Sequence, residues 1–395
     1  MKSTIDQAIV QLLAGGMVVV CDDEDRENEG DLVALADRIS AESINFMTLH
    51  GRGLICAPIS KEIAERLQLD LMVRNTSDPH ETAFTVSVDH KSATTGISAA
   101  ERANTLLQLT VPNTTPEQFQ RPGHIFPLIA KDGGVFTRMG HTEATVDLAK
   151  LCGAREVGVI CEIMNEDGSM SRYPELLDFA KQYDLPLITI EDLKEYRIRT
   201  ENLIQAEAAT MLPTEYGTFH ITVFKTKLDD EEHVAIVKGN VSVPEAVYTR
   251  VHSECLTGDV FHSKRCDCGQ QLEDALRTLR EREAGVLLYL RQEGRGIGLF
   301  EKIKAYQLQS DGLDTVEANE ALGFKDDERE FTVAAVMLDH LGVSKVSLAT
   351  NNPEKVNGLQ KSGIIVEEII PFAPTVYEEN ERYMNAKKEK LGHLI

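Results

Sequence analysis

Three cysteines fall within the stretch CLTGDVFHSKRCDCG: Cys255, Cys266 and Cys268. Thiolates this close together, two of them one residue apart, can ligate a single soft metal ion from one loop. Three are too few for a closed tetrahedral zinc site. The residues alone leave three readings open: a fourth ligand from a distant histidine, half of a disulfide scaffold, or a coordination position left free for chemistry.

A second cluster is acidic. CDDEDRENEGDLVALA holds seven carboxylates and one arginine between two apolar runs. Such a run is ordinarily a solvated loop. Here strand-like segments pin both ends, and Glu27, Glu29 and Asp31 share one face if the segment is extended. So many carboxylates repel one another until a cation neutralises them, and oxygen ligation suits magnesium or manganese. Arg26 beside Glu27 adds a partner for a phosphate.

Two histidines and a glutamate could complete this chemistry. RPGHIFPL holds His124, and RMGHTEATVDLAKL places His141 at a turn entering a helix. There Thr142 could cap the helix, whose first amides suit a phosphate. GVICEIMN makes Glu162 the one charged residue of an apolar strand. A carboxylate desolvated there, unless paired, titrates upward into the range of a general base.

These residues need a scaffold, and the chain is long enough for two. Its 395 residues, 42% of them hydrophobic, predict two domains with sizeable cores. Residues 1–195 alternate strand-like runs (MVVVC, LVALA, GLICAPI, VGVICEIM, LPLITI) with helical stretches, Ile5, Ile9, Leu12 and Leu13 sharing the face of the first helix. Residues 196–213 carry no strand run, which puts the boundary near 200. Beyond it, GVLLYLRQEGRGIGLFEKIKAYQLQ and VSLATNNPEKVNGLQKSGIIV each read as a strand, a polar turn and a helix. The expected class is α/β (α+β), two mixed-sheet domains in tandem at 1–199 and 200–395.

Composition narrows the setting. Seven cysteines, an odd number dispersed at 21, 56, 152, 161, 255, 266 and 268, argue against a disulfide framework and for a reducing compartment. No signal peptide or transmembrane helix is expected, since no apolar run approaches the roughly twenty residues that span a bilayer. A net charge of −23 disfavours nucleic acid as a partner. The glycines at 294, 296 and 298 do not form the G-x-G-x-x-G dinucleotide fingerprint.

DDEDRENEGD, TAFTVSVD, TTGISAAER, RPGHIFPL, GHTEA and GVICEIMNEDG resemble, in order, 3,4-dihydroxy-2-butanone 4-phosphate synthase of riboflavin biosynthesis. The resemblance covers about residues 1–199 and implies conversion of ribulose 5-phosphate to dihydroxybutanone phosphate and formate with a magnesium or manganese ion. It makes Glu27 and His141 metal ligands. Arg26, Glu27, Asp31, the turn Arg138, Met139, Gly140, His141 and Thr142, and Glu162 bind the sugar phosphate, while His124 and Glu162 are essential for catalysis. Proton abstraction beside a carbonyl needs such a base and a Lewis acid for the enediol oxygen. Met139 stands where the family more often has a small residue, which bears on pocket shape.

RVHSECLTGDVFHSKRCDCGQQL, LRQEGRGIGL, AYQLQSDGLDTVEAN, DDERE and TNNPEK resemble GTP cyclohydrolase II over about residues 205–355. This resemblance implies hydrolysis of GTP to a ring-opened pyrimidine, formate and pyrophosphate, with zinc on Cys255, Cys266 and Cys268 and magnesium at the phosphates. Three protein ligands leave one position open, the arrangement of a catalytic zinc that lowers the pKa of its water. GTP contacts pass to Arg250, Val251, His252, Ser253, Glu254, Gln271, Glu293, Gly294, Arg295, Tyr306, Thr315, Thr350 and Lys355. Asp327 takes the place of the proposed proton acceptor and Arg329 that of the proposed nucleophile. Because arginine stays protonated, stabilising phosphate charge suits Arg329 better. His262, where glycine is common, and the longer GNVSVPEAVYT leave the ligands untouched.

The expectation is a cytoplasmic bifunctional enzyme, homodimeric by family habit, whose partners are its small-molecule substrates. Two rivals are a chain with one inactive half and a zinc-dependent GTP sensor without turnover.

Overall fold

The computed structural model describes residues 2–24, 26–73, 78, 80–325, 327–372 and 377–380. Asp25 and Asp326 of the two acidic motifs, and residues 381–395 of the expected second domain, lie outside the described residues. The chain packs into two compact units, Met1–Arg197 and Ile198–Ile395, each mixed α/β.

The first unit is built on seven strands: β1 (Val18–Cys21), β2 (Gly30–Leu35), β3 (Cys56–Ile59), β4 (Val88–His90), β5 (Phe119–Ile129), β6 (Gly158–Glu162) and β7 (Leu187–Thr189). They form a mixed sheet in the order β4-β5-β3-β6-β2-β1-β7. β1 and β2 are buried along their whole length, as their near-continuous apolar runs require of strands covered on both faces. The helix Ile5–Leu13 starts at a Thr4/Gln7 capping box and buries Ile5, Ala8 and Leu12. Leu13, expected on that face, is exposed, because the stripe at positions 5, 8 and 12 points it away from the sheet.

Register sets the chemistry. Asp31 lies opposite Val20 on one side and Glu162 on the other, and Cys56 lies opposite both Ile160 and Phe126. Continuing that register by one two-residue step brings His124 level with Leu54 and Glu162. One row across the sheet edge thus carries His124, Glu162, Asp31 and Val20.

The second unit has β8 (Ile204–Thr214), β9 (Gly217–Thr226), β10 (Glu232–Lys238), β11 (Val247–Ser253), β12 (Gly285–Leu290), β13 (Lys345–Ala349) and β14 (Ile365–Ile370), ordered β14-β13-β11-β12-β10-β9-β8. β8 occupies the stretch expected to lack a strand. Its residues are mostly exposed and poor in β-branched types, so its conformation comes from pairing along β9 rather than from propensity. The helix Ile190–Thr200 likewise runs up to the expected boundary. β11, β12, β13 and β14 are parallel, so the loops after β11, β12 and β13 leave from one edge, where open α/β sheets bind ligands. Among the described residues no helix is long and apolar enough to cross a membrane.

Candidate active sites

In the first unit the acidic segment is the loop joining β1 to β2. It is not extended. The carboxylate of Asp22, its side chain fully buried, accepts from the amides of Glu29 (2.8 Å) and Glu27 (3.1 Å) and from Arg26 Nη1 (2.8 Å). Amides of Arg26 and Asn28 close back onto the Asp23 carbonyl. These donors fold the loop around Asp22, so Glu27, Glu29 and Asp31 do not share a strand face. Only Asp31 is in a strand.

The turn brings Glu27 beside His141. Ligating atoms of Asp22, Glu27 and His141 lie within 4.8 Å of one another, and Glu27 Oε2 is 3.9 Å from His141 Nδ1. His141 Nε2 lies 3.1 Å from the Val20 carbonyl, which assigns the proton to Nε2 and leaves the Nδ1 lone pair toward Glu27. Burial holds His141 below the ordinary imidazole range, in its metal-binding form. Burial, reinforced by Glu162, Glu27 and Asp22, pushes Asp31 well above the usual carboxylate range, and burial with Glu27 raises Glu29. Crowded carboxylates beside a neutral imidazole fit a hard divalent cation such as magnesium or manganese. Asp22 was not singled out from sequence, because nothing distinguishes it among seven acids until the loop closes on it.

His141 opens the helix His141–Leu151, whose N-cap is Gly140 without a side-chain cap hydrogen bond. Thr142 is therefore not the cap: it lies buried in the first turn, past the residue whose extended backbone ends the loop. Arg138 is anchored by Glu143 Oε2 (2.6 Å), the His80 carbonyl (2.9 Å) and Thr82 Oγ1 (3.1 Å). Met139 is half-buried and packs on the core.

His124 is paired. Its Nδ1 lies 2.7 Å from Asp89 Oδ2, and its amide donates to Asp89 Oδ1 at 2.9 Å. Gly96 (φ +81°) packs so closely that a Cβ there would meet Asp89 Oδ2 at 2.0 Å and His124 Nδ1 at 2.6 Å. Glu101 shapes the loop that carries Gly96 by accepting from Thr94, Gly96 and Ser98, and the bonds from Thr94 and then Ser98 hold its carboxyl down at about 2. Glu162 is also paired, accepting from the Leu54 amide at 2.8 Å. Asp89 and Glu101 are functional candidates that sequence reasoning missed, although both lie in motifs it had marked.

In the second unit an open cleft lies at the edge where β11, β12 and β13 end. Cys255, Cys266, Cys268, Arg329 and every predicted GTP residue but Val251 line it. Val251 belongs to the apolar core and reaches the site only through its carbonyl, which accepts from Lys355 Nζ at 2.8 Å. Asp327 sits behind Arg329, bonded to its Nε and Nη2 at 2.8 and 2.5 Å. Burial works against the Asp327 carboxylate, yet the Arg329 guanidinium holds it below its usual range.

The cleft concentrates positive charge. Arg250 is buried, with Nη1 on the Ala349 carbonyl and Nη2 on Gln271 Oε1. Burial lowers it to about 10, and burial together with Arg250 and Arg329 pushes Lys355 well below the ordinary lysine range. Cations held this close are relieved by an anion, and polyphosphate suits the arrangement.

The three cysteines are free thiols whose Sγ atoms lie within 4.8 Å of one another, Cys255 and Cys266 at 3.6 Å. Hydrogen bonds from Cys266 and Cys268 favour the thiolate at Cys255, whereas sharing protons with it raises Cys266 to about 11 and pushes Cys268 well up. Gly258 closes one side: a Cβ there would meet Cys266 Sγ at 2.9 Å, Cys268 Cβ at 3.1 Å and Cys255 Sγ at 3.2 Å. Sulfurs that cannot ionise together without a cation fit zinc. Behind them, Asp259 accepts from the Cys255 amide and Tyr289 Oη, both at 2.9 Å, and meets His252 Nε2 at 3.1 Å. Glu293 and Lys302 connect the EGRG turn to Cys255; Lys302 had carried no sequence signal.

Comparison with known proteins assigns a family to each half of the chain. Residues 6–196 match the family model of 3,4-dihydroxy-2-butanone 4-phosphate synthase and residues 205–371 that of GTP cyclohydrolase II. The chain is 57% identical over 391 residues to the riboflavin biosynthesis proteins RibBA of Bacillus mycoides and Bacillus cereus, covering 99% of this chain and 98% of each relative. It also resembles the crystal structure of RibBX, a two-domain 3,4-dihydroxy-2-butanone 4-phosphate synthase from A. baumannii, with a TM-score of 0.72 and 33% identity over 93% of this chain and 99% of that one. The chain therefore belongs to the bifunctional RibBA family of riboflavin biosynthesis enzymes, a 3,4-dihydroxy-2-butanone 4-phosphate synthase followed by a GTP cyclohydrolase II.

Proposed function

We propose that the two reactions run at the two sites described, with residues 1–199 converting ribulose 5-phosphate and residues 200–395 hydrolysing GTP. The observation that supports this most is the cleft that gathers three thiols with Arg250, Arg329 and Lys355, a soft-metal site beside a polyphosphate site.

In the first half, Glu27 and His141, joined by Asp22, would hold magnesium or manganese, which when bound supplies Lewis acidity toward substrate oxygens. Arg26, Asp31, Glu162 and the turn from Arg138 to Thr142 bind and orient the sugar phosphate. His124 Nε2 moves the substrate proton while Asp89 holds the ring through Nδ1, and Glu162 handles a second proton. Products are dihydroxybutanone phosphate and formate.

In the second half, Cys255, Cys266 and Cys268 would hold zinc, which when bound supplies Lewis acidity for hydrolytic opening of the purine ring. Arg250, Lys355 and Arg329 receive the triphosphate, with magnesium accompanying it. Glu293 spends its carboxylate on Lys302, Gly294 N and Leu256 N, which leaves the Glu293–Arg295 turn its backbone and Arg295 for GTP. His252, Ser253, Glu254, Gln271, Thr315 and Thr350 border the nucleotide, and Tyr306 stands near the base. Asp327 fixes the Arg329 guanidinium, which favours charge stabilisation over nucleophilic attack by Arg329. Products are the ring-opened pyrimidine phosphate, formate and pyrophosphate.

A cytoplasmic homodimer belongs to the same proposal and is tested by mass in solution. The rival with one inactive half draws on the A. baumannii protein, whose two domains are described with the first activity alone. Purified protein incubated with each substrate separately decides the matter. Formate from both, with pyrophosphate from GTP only, is expected; no formate from GTP would leave the second half a binding domain.

A further inference from the structure

Lys302 lies in the helix Gly298–Ser310, is buried, and has its Nζ 3.1 Å from Cys255 Sγ and 2.6 Å from Glu293 Oε1. Glu293 is itself fixed, its Oε1 accepting from Gly294 N at 2.9 Å and its Oε2 from Leu256 N at 2.6 Å. The ammonium is thus aimed at one sulfur by a carboxylate that cannot swing away. We propose that Lys302 is a positioning residue of the metal centre, orienting Cys255 Sγ and withdrawing electron density from it through the N–H···S bond. This rests on the reading of the three cysteines as a zinc site.

The physical case is one of charge. Three thiolates on a dication leave one net negative charge, and strong sulfur donation weakens the metal as a Lewis acid. A cation hydrogen-bonded to one sulfur offsets that charge in a site sheltered from water, where such an interaction is strong. Lys302 differs in this from Arg250 and Lys355: its charge is committed to Cys255 and Glu293, so it is not the anchor of a phosphate.

The test uses the full chain loaded with cobalt(II) in place of zinc, comparing wild type with Lys302→Met and Lys302→Arg. Methionine keeps the length of the buried stem, and the thermal transition of each variant checks that the second unit is folded. In Lys302→Met the sulfur-to-cobalt charge-transfer band is expected at lower energy, because Cys255 becomes the stronger donor, and arginine is expected to return it part of the way. With zinc restored, kcat for GTP is expected to fall roughly 10–100-fold, the usual cost of losing a partner of a metal ligand. KM is expected to stay near the wild-type value. An unmoved band in a cobalt-loaded Lys302→Met protein would overturn the proposal while leaving the zinc site intact, and a raised KM with an unmoved band would assign Lys302 to the phosphates instead. If methionine prevents folding, Glu293→Gln, which loosens the hold on Lys302, must still move the band. Wild type without any sulfur-to-cobalt band would overturn the zinc reading itself and the proposal with it.

Discussion

His124 Nδ1 lies 2.7 Å from Asp89 Oδ2, a contact between β5 and β4 that fixes the imidazole through Nδ1. An asparagine at position 89 can present its amide to Nδ1, reversing the tautomer that a base at Nε2 requires. Asp89→Asn is therefore expected to lower kcat for dihydroxybutanone phosphate formation by about 10²–10⁴-fold, the range of general acid–base catalysis, without loss of fold. Unchanged turnover in a formate assay would show that the pair is structural only.

Glu27→Gln and His141→Ala are each expected to abolish the ribulose 5-phosphate reaction and leave GTP hydrolysis near normal. The candidate ligand group Asp22, Glu27 and His141 belongs to the first unit alone. Parallel assays of both reactions on the same preparation check this; equal loss of both activities contradicts the separation of the sites.

Cys268→Ser is expected to lose stoichiometric zinc and ring opening, since a hydroxyl does not replace a soft thiolate at neutral pH. Metal analysis and formate release measure the loss, and the first half should keep working. If pyrophosphate release from GTP persists in this variant, the phosphate chemistry belongs to the cluster of Arg250, Lys355 and Arg329 rather than to the metal.

A stability prediction follows from Asp147, whose carboxylate pairs with Arg197 at 2.6 Å in a buried setting. Burial raises it from 3.8 to about 6 while Arg197 pulls it back. The folded state thus binds this proton more tightly than the unfolded chain does. The group's contribution to stability is greatest below 3.8 and declines as pH rises through about 6. Arg197→Met leaves the carboxylate without its cation and is expected to destabilise the first unit by about 3–5 kcal/mol at pH 7. The deficit should shrink toward pH 4 as Asp147 takes up a proton. Denaturant unfolding at both pH values measures it, and a deficit independent of pH would assign the loss to packing.

Local sequence was enough to determine the two-part α/β plan and the sulfur cluster, while the pairing of Glu27 with His141, 114 residues apart, was implied only by the resemblance of their motifs to a known family. Cys255, Cys266 and Cys268 meet because a short loop closes on itself, and apolar runs such as those of β1 and β2 bury themselves wherever they lie. Spacing carries that information. The support around the sites was decided by tertiary structure. Asp89 meets His124, 35 residues away, only through β4–β5 pairing, and Lys302 meets Cys255 across 47 residues only once the helix Gly298–Ser310 packs over the cysteine loop. Asp22 looks like any other acid until three donors converge on it, and that same convergence overrides the extended conformation in which Glu27, Glu29 and Asp31 would have shared a face. β8 is a strand because β9 offers it a hydrogen-bonding edge, not because Ala206, Glu207 and Ala208 prefer one. Sequence spacing reports contacts the chain makes with its near neighbours; hydrogen bonds and charge pairs between distant segments depend on sheet order and register, which no single segment encodes.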